Sequence, residues 1–468
     1  MAALFYMMIN EVVILKKAIP VIKGRNYIVE IMSLGHSSEG VGRFEDFTVF
    51  VPGALVGEQV DVRITEVKKS YAKGVISKIV RKSPDRQEPS CEIYEKCGGC
   101  QLQHLGYAAQ LKVKRQQVVD AVERIGKQKS VQIFPTIGAE NPWNYRNKMQ
   151  FPIGQQKKQV VIGCFAQSSH EIVDTKNCRI QEEVNNDIAN AMREIVQKLG
   201  IYVYDEKTQK GSLRHVIGRV AEGGVMVVLV TATKNLPHAQ EIITHLRAKV
   251  PNLVSIMHNI NPKATNMIMG DITKHIWGAK TILAKMDDLT FHISPRSFFQ
   301  VNTKQAGVLY NKALEYAGLT GQETVIDAYC GTGTITLFLA KKAKQVIGIE
   351  IVEPAIRDAR KNAQDNNVKN AEFIVGDATH VMPQLYQDGL RPDVIVVDPP
   401  RVGCTPKVLQ TFAAMNPKRI VYVSCYPASL ARDLEILDGL GYKTVKIQPV
   451  DMFPQTSHVE SVALIERK

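Results

Sequence analysis

Sulfur carries the chemistry most easily read in this chain. Three cysteines stand close together as Cys91-x5-Cys97-x2-Cys100, and Cys178 follows much later. Clustered thiols with one remote partner are the pattern of a four-thiolate metal site, and soft sulfur ligands admit either zinc or an iron–sulfur cluster. A differently built motif, Ser424-Cys425-Tyr426-Pro427, offers a single thiol. Pro427 presets the first turn of a helix, and the positive end of that helix would favour the thiolate of Cys425 over a free thiol of pKa about 8.5. Cys425 is therefore a candidate nucleophile. Glu460, in His458-Val459-Glu460 at the head of the last strand, is a candidate base.

These groups need a frame that brings them together, and the sequence from about Ser294 onward has one. Strand-like runs at 324–326, 345–349, 372–375, 393–397 and 419–423 alternate with helical runs at 334–342, 352–366 and 428–440. Alternating β and α with apolar strands predicts an α/β domain whose parallel sheet carries helices on both faces, with ligands beyond the carboxyl ends of its strands. The first of these ends is Asp327-Ala328-Tyr329-Cys330-Gly331-Thr332-Gly333, where glycines let a ligand approach the backbone. The second is Glu350, placed to accept hydrogen bonds from a ribose. Asp377 and Asp398 end the next two, so the rim is acidic. The third glycine of a diphosphate-binding loop is missing. An acidic rim without that loop suits a cationic nucleoside, S-adenosylmethionine. If the closing strand 461–466 runs antiparallel to 442–448, Glu460 returns to the same edge as Cys425.

The rest of the chain reads as support and partner recognition. A length of 468 residues predicts roughly three domains. Residues 20–80 alternate as short strands separated by turns such as Val51-Pro52-Gly53-Ala54, which predicts an OB-like five-stranded barrel. Residues 81–293 read as a mixed α+β central domain with a helix at 101–125, and residues 294–468 as the Rossmann-like domain. Lysine and arginine number 59 against 46 acids, a net +13, which points to a polyanionic partner, RNA or DNA. Basic and aromatic residues interleave at Trp143-Asn144-Tyr145-Arg146-Asn147-Lys148, as in surfaces that stack bases. Met1 to Leu15 has no basic leader or cleavage site, and no run reaches the ~18 apolar residues of a membrane span. A soluble cytoplasmic protein with reduced thiols follows.

Taken together, Ser297-Phe298-Phe299-Gln300-Val301-Asn302, Asp327-Ala328-Tyr329-Cys330-Gly331, Asp398-Pro399-Pro400-Arg401, Ser424-Cys425 and His458-Val459-Glu460 resemble the RNA 5-methyluridine methyltransferases. The barrel resembles that family's TRAM domain, and barrel plus four cysteines resemble its 23S rRNA (uracil-5-)-methyltransferase branch more than its tRNA branch. The resemblance implies that Gln300, Tyr329, Glu350, Asp377 and Asp398 hold S-adenosylmethionine, with Gln300 and Asp398 candidates for the uracil as well. It implies Cys425 as nucleophile, Glu460 as proton acceptor, and a [4Fe-4S] cluster rather than zinc on Cys91, Cys97, Cys100 and Cys178. The partner it implies is RNA, 23S rRNA in that branch, and not DNA; the helix after Cys100 is expected against the catalytic domain. Where the family has Asn after the nucleophile, this chain has Tyr426. Two other readings differ in chemistry. A non-catalytic RNA-binding factor would not need Cys425 and Glu460, and a cytosine-5 enzyme would carry a second cysteine where Asp398-Pro399-Pro400-Arg401 has none.

Overall fold

The computed structural model describes residues 19–468, so the apolar start of the chain, read above as lacking a leader, lies outside the described residues. The chain forms two compact units, the first ending at Arg86 and the second running from Gln87 to the C-terminus.

In the first unit, strands Asn26–Leu34, Gly40–Phe44, Phe47–Val51, Gln59–Val67 and Tyr71–Arg81 close into a barrel, the fifth lying between the third and fourth. Alternate residues point inward: Val29 and Ile31, Val49 and Val51, and Val60, Val62 and Ile64 form its core. Closure needs glycine where strands approach closely, since a Cβ on Gly74 would run into Val62 and one on Gly42 into the Glu30 carbonyl.

The second unit holds two large sheets. Seven strands spanning 148–278 form a mixed sheet, covered by helices Glu183–Leu199 and Ala239–Lys249. Its inner strand Gly224–Thr231 is buried at every residue, which explains its apolar sequence.

The other sheet positions the candidate site. Its strands are β1 (Thr324–Ala328), β2 (Gln345–Glu350), β3 (Ala371–Val375), β4 (Val394–Val397), β5 (Arg419–Ser424), β6 (Tyr442–Val450) and β7 (Glu460–Arg467). They lie in the order β3-β2-β1-β4-β5-β7-β6, and the short strand Gln132–Ile133 adds to the β6 edge. β1 to β5 are parallel, and β7 inserts antiparallel between β5 and β6. Ser424 pairs with Ser461 and Val450 with Glu460. The next residue along β5 is Cys425 and the preceding residue on β7 is Glu460, so both stand at one edge.

The helix expected over 101–125 begins only at Tyr107 and ends at Arg124. Gln101 and Leu102 donate their backbone N–H groups to the carbonyl of Gln455, at 3.0 and 2.9 Å, a turn joins Leu105 N to Leu102 O, and the extended backbone of Gly106, with ψ 141°, separates this stretch from the helix. From Tyr107 on, the helix packs against helix Pro427–Gly439. Just past its end Lys127 meets Glu435 at 2.6 Å. Among the described residues no helix is long and apolar enough to cross a membrane.

Candidate active site and cysteine cavity

Beyond the carboxyl edge of β1 to β5 opens a cleft of about 1650 Å³. Gln300, Tyr329, Glu350, Asp398, Cys425 and Glu460 all line it. Asp377 is not in this lining. Its carboxylate caps helix Ala378–Gln387, accepting from Thr379 N at 2.7 Å, and that bond holds it below the usual carboxylate range.

The turn after β1 explains how a ligand could come close. Tyr329, Gly331 and Gly333 all have positive φ, and a Cβ on Gly331 would meet nothing within 4 Å, so its backbone fronts open space. Gly333 instead packs, since a Cβ there would lie 3.1 Å from both Ala359 and Phe373. Glu350 is fixed by two backbone donors, Gly331 N at 3.2 Å and Val352 N at 2.8 Å. Its lone pairs remain partly available, as recognition of a vicinal diol requires.

Electrostatics around Cys425 and Glu460 differ from the expectation for Cys425. Its helix does start beside it, at Pro427 with Tyr426 as cap. Burial and the nearby Glu460 and Asp398 nevertheless push its thiol up to about 12, against the opposing pull of Arg401. The helix end alone does not make a thiolate here, because desolvation and like charge outweigh it. Burial also raises Asp398 to about 7, and burial with Asp398 raises Glu460 to about 8. Near neutrality Cys425 therefore keeps its proton, Glu460 is mostly protonated and Asp398 is about half ionised. A bound cation would favour the ionised forms of all three groups. Arg401 stands over the Tyr426 ring at 5.3 Å, so the residue at the family's Asn position braces a cleft-lining guanidinium.

Sequence reading missed two features of this corner. Arg401 had appeared only as part of a motif, and the charge it supplies to Cys425 and Glu460 emerges from loop geometry. Tyr310, buried on helix Thr303–Ala317, lines the cleft, and burial raises its hydroxyl well above the tyrosine range. Nothing in its helical spacing distinguishes it from a core residue.

A second cavity, of about 440 Å³, gathers Cys91, Cys97, Cys100 and Cys178, together with Cys164, which the spacing had not flagged. Cys164 sits within an apolar strand, where a lone cysteine reads as a small hydrophobe. It hydrogen-bonds to Cys97 and draws that thiol down to about 6. Burial pushes Cys100 up to about 12, with Cys178, Cys97 and Cys91 adding to the rise. Among the described residues no three His, Cys, Asp or Glu side chains are placed to hold a metal ion, so the four-thiolate site expected from the spacing is not assembled here. Arg146, Lys148 and Arg179 also line this cavity. Burial beside Arg219 and Arg146 lowers Lys148 to about 8, a cost that a negatively charged occupant would relieve. Gly99, Arg146, Phe298 and Val301 line both cavities, which share this wall.

Comparison with known proteins accords with this geometry. The family profile described as tRNA (Uracil-5-)-methyltransferase matches residues 106–468, and the TRAM domain profile matches residues 20–76. The chain is 50% identical over 453 residues to an uncharacterized RNA methyltransferase of Clostridium tetani, covering 96% of this chain and 98% of the relative. Another, from Halalkalibacterium halodurans, is 49% identical over 455 residues, covering 97% of this chain and 99% of the relative. Among solved structures, the Pyrococcus abyssi tRNA (uracil-54, C5)-methyltransferase in complex with S-adenosyl-L-homocysteine aligns with TM-score 0.76 and 32% identity, over 94% of this chain and 100% of that one. With a TRAM domain at residues 20–76 and the methyltransferase profile over residues 106–468, this chain belongs to the uracil-5 RNA methyltransferase family and uses S-adenosylmethionine.

Proposed function

We propose that this protein methylates C5 of a uridine in 23S rRNA through a covalent bond between Cys425 and uracil C6. The observation that carries the mechanism is the register that brings Cys425 and Glu460 to one edge of the sheet, inside the cleft lined by Glu350 and Asp398. Gln300, Tyr329, Glu350 and Asp398 are assigned to S-adenosylmethionine, with Asp377 at the adjoining strand end, and Gln300 and Asp398 also within reach of the base. When bound, S-adenosylmethionine supplies an electrophilic methyl group.

Uracil C5 is too weak a nucleophile to take that group unaided. Addition of the Cys425 thiolate to C6 moves the ring's electron pair toward C5 and O4, and C5 can then accept the methyl. Glu460 next takes the C5 proton; the C5–H pair restores the C5–C6 double bond and expels the Cys425 thiolate. The base must leave the RNA stack to reach Cys425, at a cost of a few kcal/mol met by protein–RNA contacts.

For the cysteine cavity we propose a [4Fe-4S] cluster on Cys91, Cys97, Cys100 and Cys178. The four cysteines line one cavity together with Arg146, Lys148 and Arg179, and those cations suit an anionic metal–thiolate cluster. No step of the methyl transfer passes through it.

A tRNA substrate is the second reading. The archaeal neighbour acts on tRNA by its name, and its alignment reaches into the N-terminal unit, so the barrel does not by itself separate the two branches. Labelled S-adenosylmethionine with 23S rRNA fragments or tRNA transcripts, each with uridine or 5-fluorouridine, tests both. Methylation and a denaturant-resistant adduct on fluorinated rRNA, lost in Cys425→Ala, are expected. Labelling of tRNA alone would move the substrate assignment, and turnover by Cys425→Ala would remove the mechanism.

A further inference from the structure

The residues between β6 and β7, from Asp451 to Val459, deliver Glu460 to the cleft, and Phe453, Thr456 and His458 among them line it. At the centre of this loop is Gln455, 1% exposed, with φ +69. A non-glycine residue holds that left-handed backbone only where its surroundings impose it.

The surroundings here come from the cysteine site. The Gln455 carbonyl accepts from Gln101 N at 3.0 Å and Leu102 N at 2.9 Å, directly after Cys100. Gln101 reaches both ways: its Nε2 donates to Gly98 O at 2.9 Å, within the Cys97–Cys100 turn, and its Oε1 accepts from Ser457 N at 3.4 Å. On the other side Gln455 and the fully buried Gln110 exchange two bonds, Gln110 Nε2 to Gln455 Oε1 at 3.0 Å and Gln455 N to Gln110 Oε1 at 3.1 Å. The loop is thus tied to the turn that carries two of the clustered thiols, across the wall where Gly99 faces both cavities.

We propose that Gln101 and Gln455 are positioning residues that strap the Cys97–Cys100 turn to the loop carrying Glu460, so that the cysteine site sets where the catalytic base stands. This rests on the assignment of Glu460 as the base. It gives the cysteine site a place in catalysis without electron transfer.

A loosened strap would act on the last step above the others. The C5–H bond must break toward the Glu460 carboxylate as the C5–C6 double bond forms and the C6–S bond opens. A displaced carboxylate leaves the methylated uracil on Cys425. Unmodified RNA would then give a lasting covalent adduct, which a mere loss of stability would not produce.

The test uses the full chain, labelled S-adenosylmethionine and an unmodified RNA that the wild type methylates. Gln101→Ala removes both side-chain bonds of the strap. Gln455→Asn keeps a residue that tolerates left-handed backbone and the bond from its backbone N to Gln110, but is too short to accept from Gln110 Nε2, so the loop end of the strap loosens. Glu460→Gln is the positive control. Both variants are expected to bind S-adenosylmethionine within about threefold of wild type, to lose about tenfold or more in kcat, and to accumulate a denaturant-resistant RNA adduct. Wild-type turnover, or lost turnover without that adduct, overturns the strap. Failure of the wild type to form an adduct on 5-fluorouridine RNA instead overturns the reading on which the strap rests.

Discussion

Replacing Glu460 by Gln should change how stability depends on pH, and the structure sets the size of the change. Glu460 is 4% exposed, and burial together with Asp398 raises its carboxyl to about 8 from an ordinary value of 4.5. A carboxyl raised on folding binds its proton more tightly in the native state. Its contribution is therefore most favourable at low pH and is lost as pH climbs from the unfolded value through the folded one. Integrating that linkage between pH 5 and pH 9 gives a loss of about 4 kcal/mol from this one group. Glutamine cannot ionise, so the variant lacks that slope. Urea unfolding of both proteins at pH 5, 7 and 9 should give similar stabilities at pH 5 and a growing advantage for Glu460→Gln at higher pH, about 3 kcal/mol or more by pH 9. Parallel stability curves for the two proteins would refute the argument. If Glu460 is the proton acceptor proposed above, the same variant should bind S-adenosylmethionine yet fail to release methylated RNA, since it keeps the cavity and cannot take the C5 proton.

Three further outcomes are expected. Glu350→Ala should weaken S-adenosylmethionine binding by about 2 kcal/mol, or roughly thirtyfold, because a carboxylate oriented by Gly331 N and Val352 N no longer meets the ribose; calorimetry on the free enzyme checks it. Lys114→Met should destabilise the second unit by about 3–5 kcal/mol in urea unfolding, since Lys114 and Asp451 form a fully buried pair at 2.5 Å and the carboxylate would be left without its cation. Protein purified without oxygen should absorb broadly in the blue and lose that absorbance in Cys178→Ala, whereas a colourless, zinc-containing sample would sink the cluster assignment.

Much of the site was legible along the chain because the catalytic sheet obeys a simple period. Short apolar runs are followed by acids at or near the strand ends, Asp327, Glu350, Asp377 and Asp398, and in a parallel sheet strand ends share one edge. The barrel was legible for a similar reason, since Val60, Val62 and Ile64 alternate with polar neighbours. The helix over 101–125 was misread at its start. Gln101 to Leu105 shares the apolar spacing of the helix, but the extended Gly106 separates it from Tyr107, and its first two N–H groups tie it to Gln455, more than three hundred residues away.

The identities and spacing of Cys425, Glu460, the strand-end acids and the four cysteines were settled by the sequence, because bond-making groups and local periodicity are written in consecutive residues. What tertiary structure alone decided was their state and their company: a thiol held protonated by burial and two carboxylates, a fifth cysteine beside Cys97, and a glutamine strap between two cavities. Desolvation, Coulomb interaction and long-range hydrogen bonds depend on distances through space, which chain order does not encode locally.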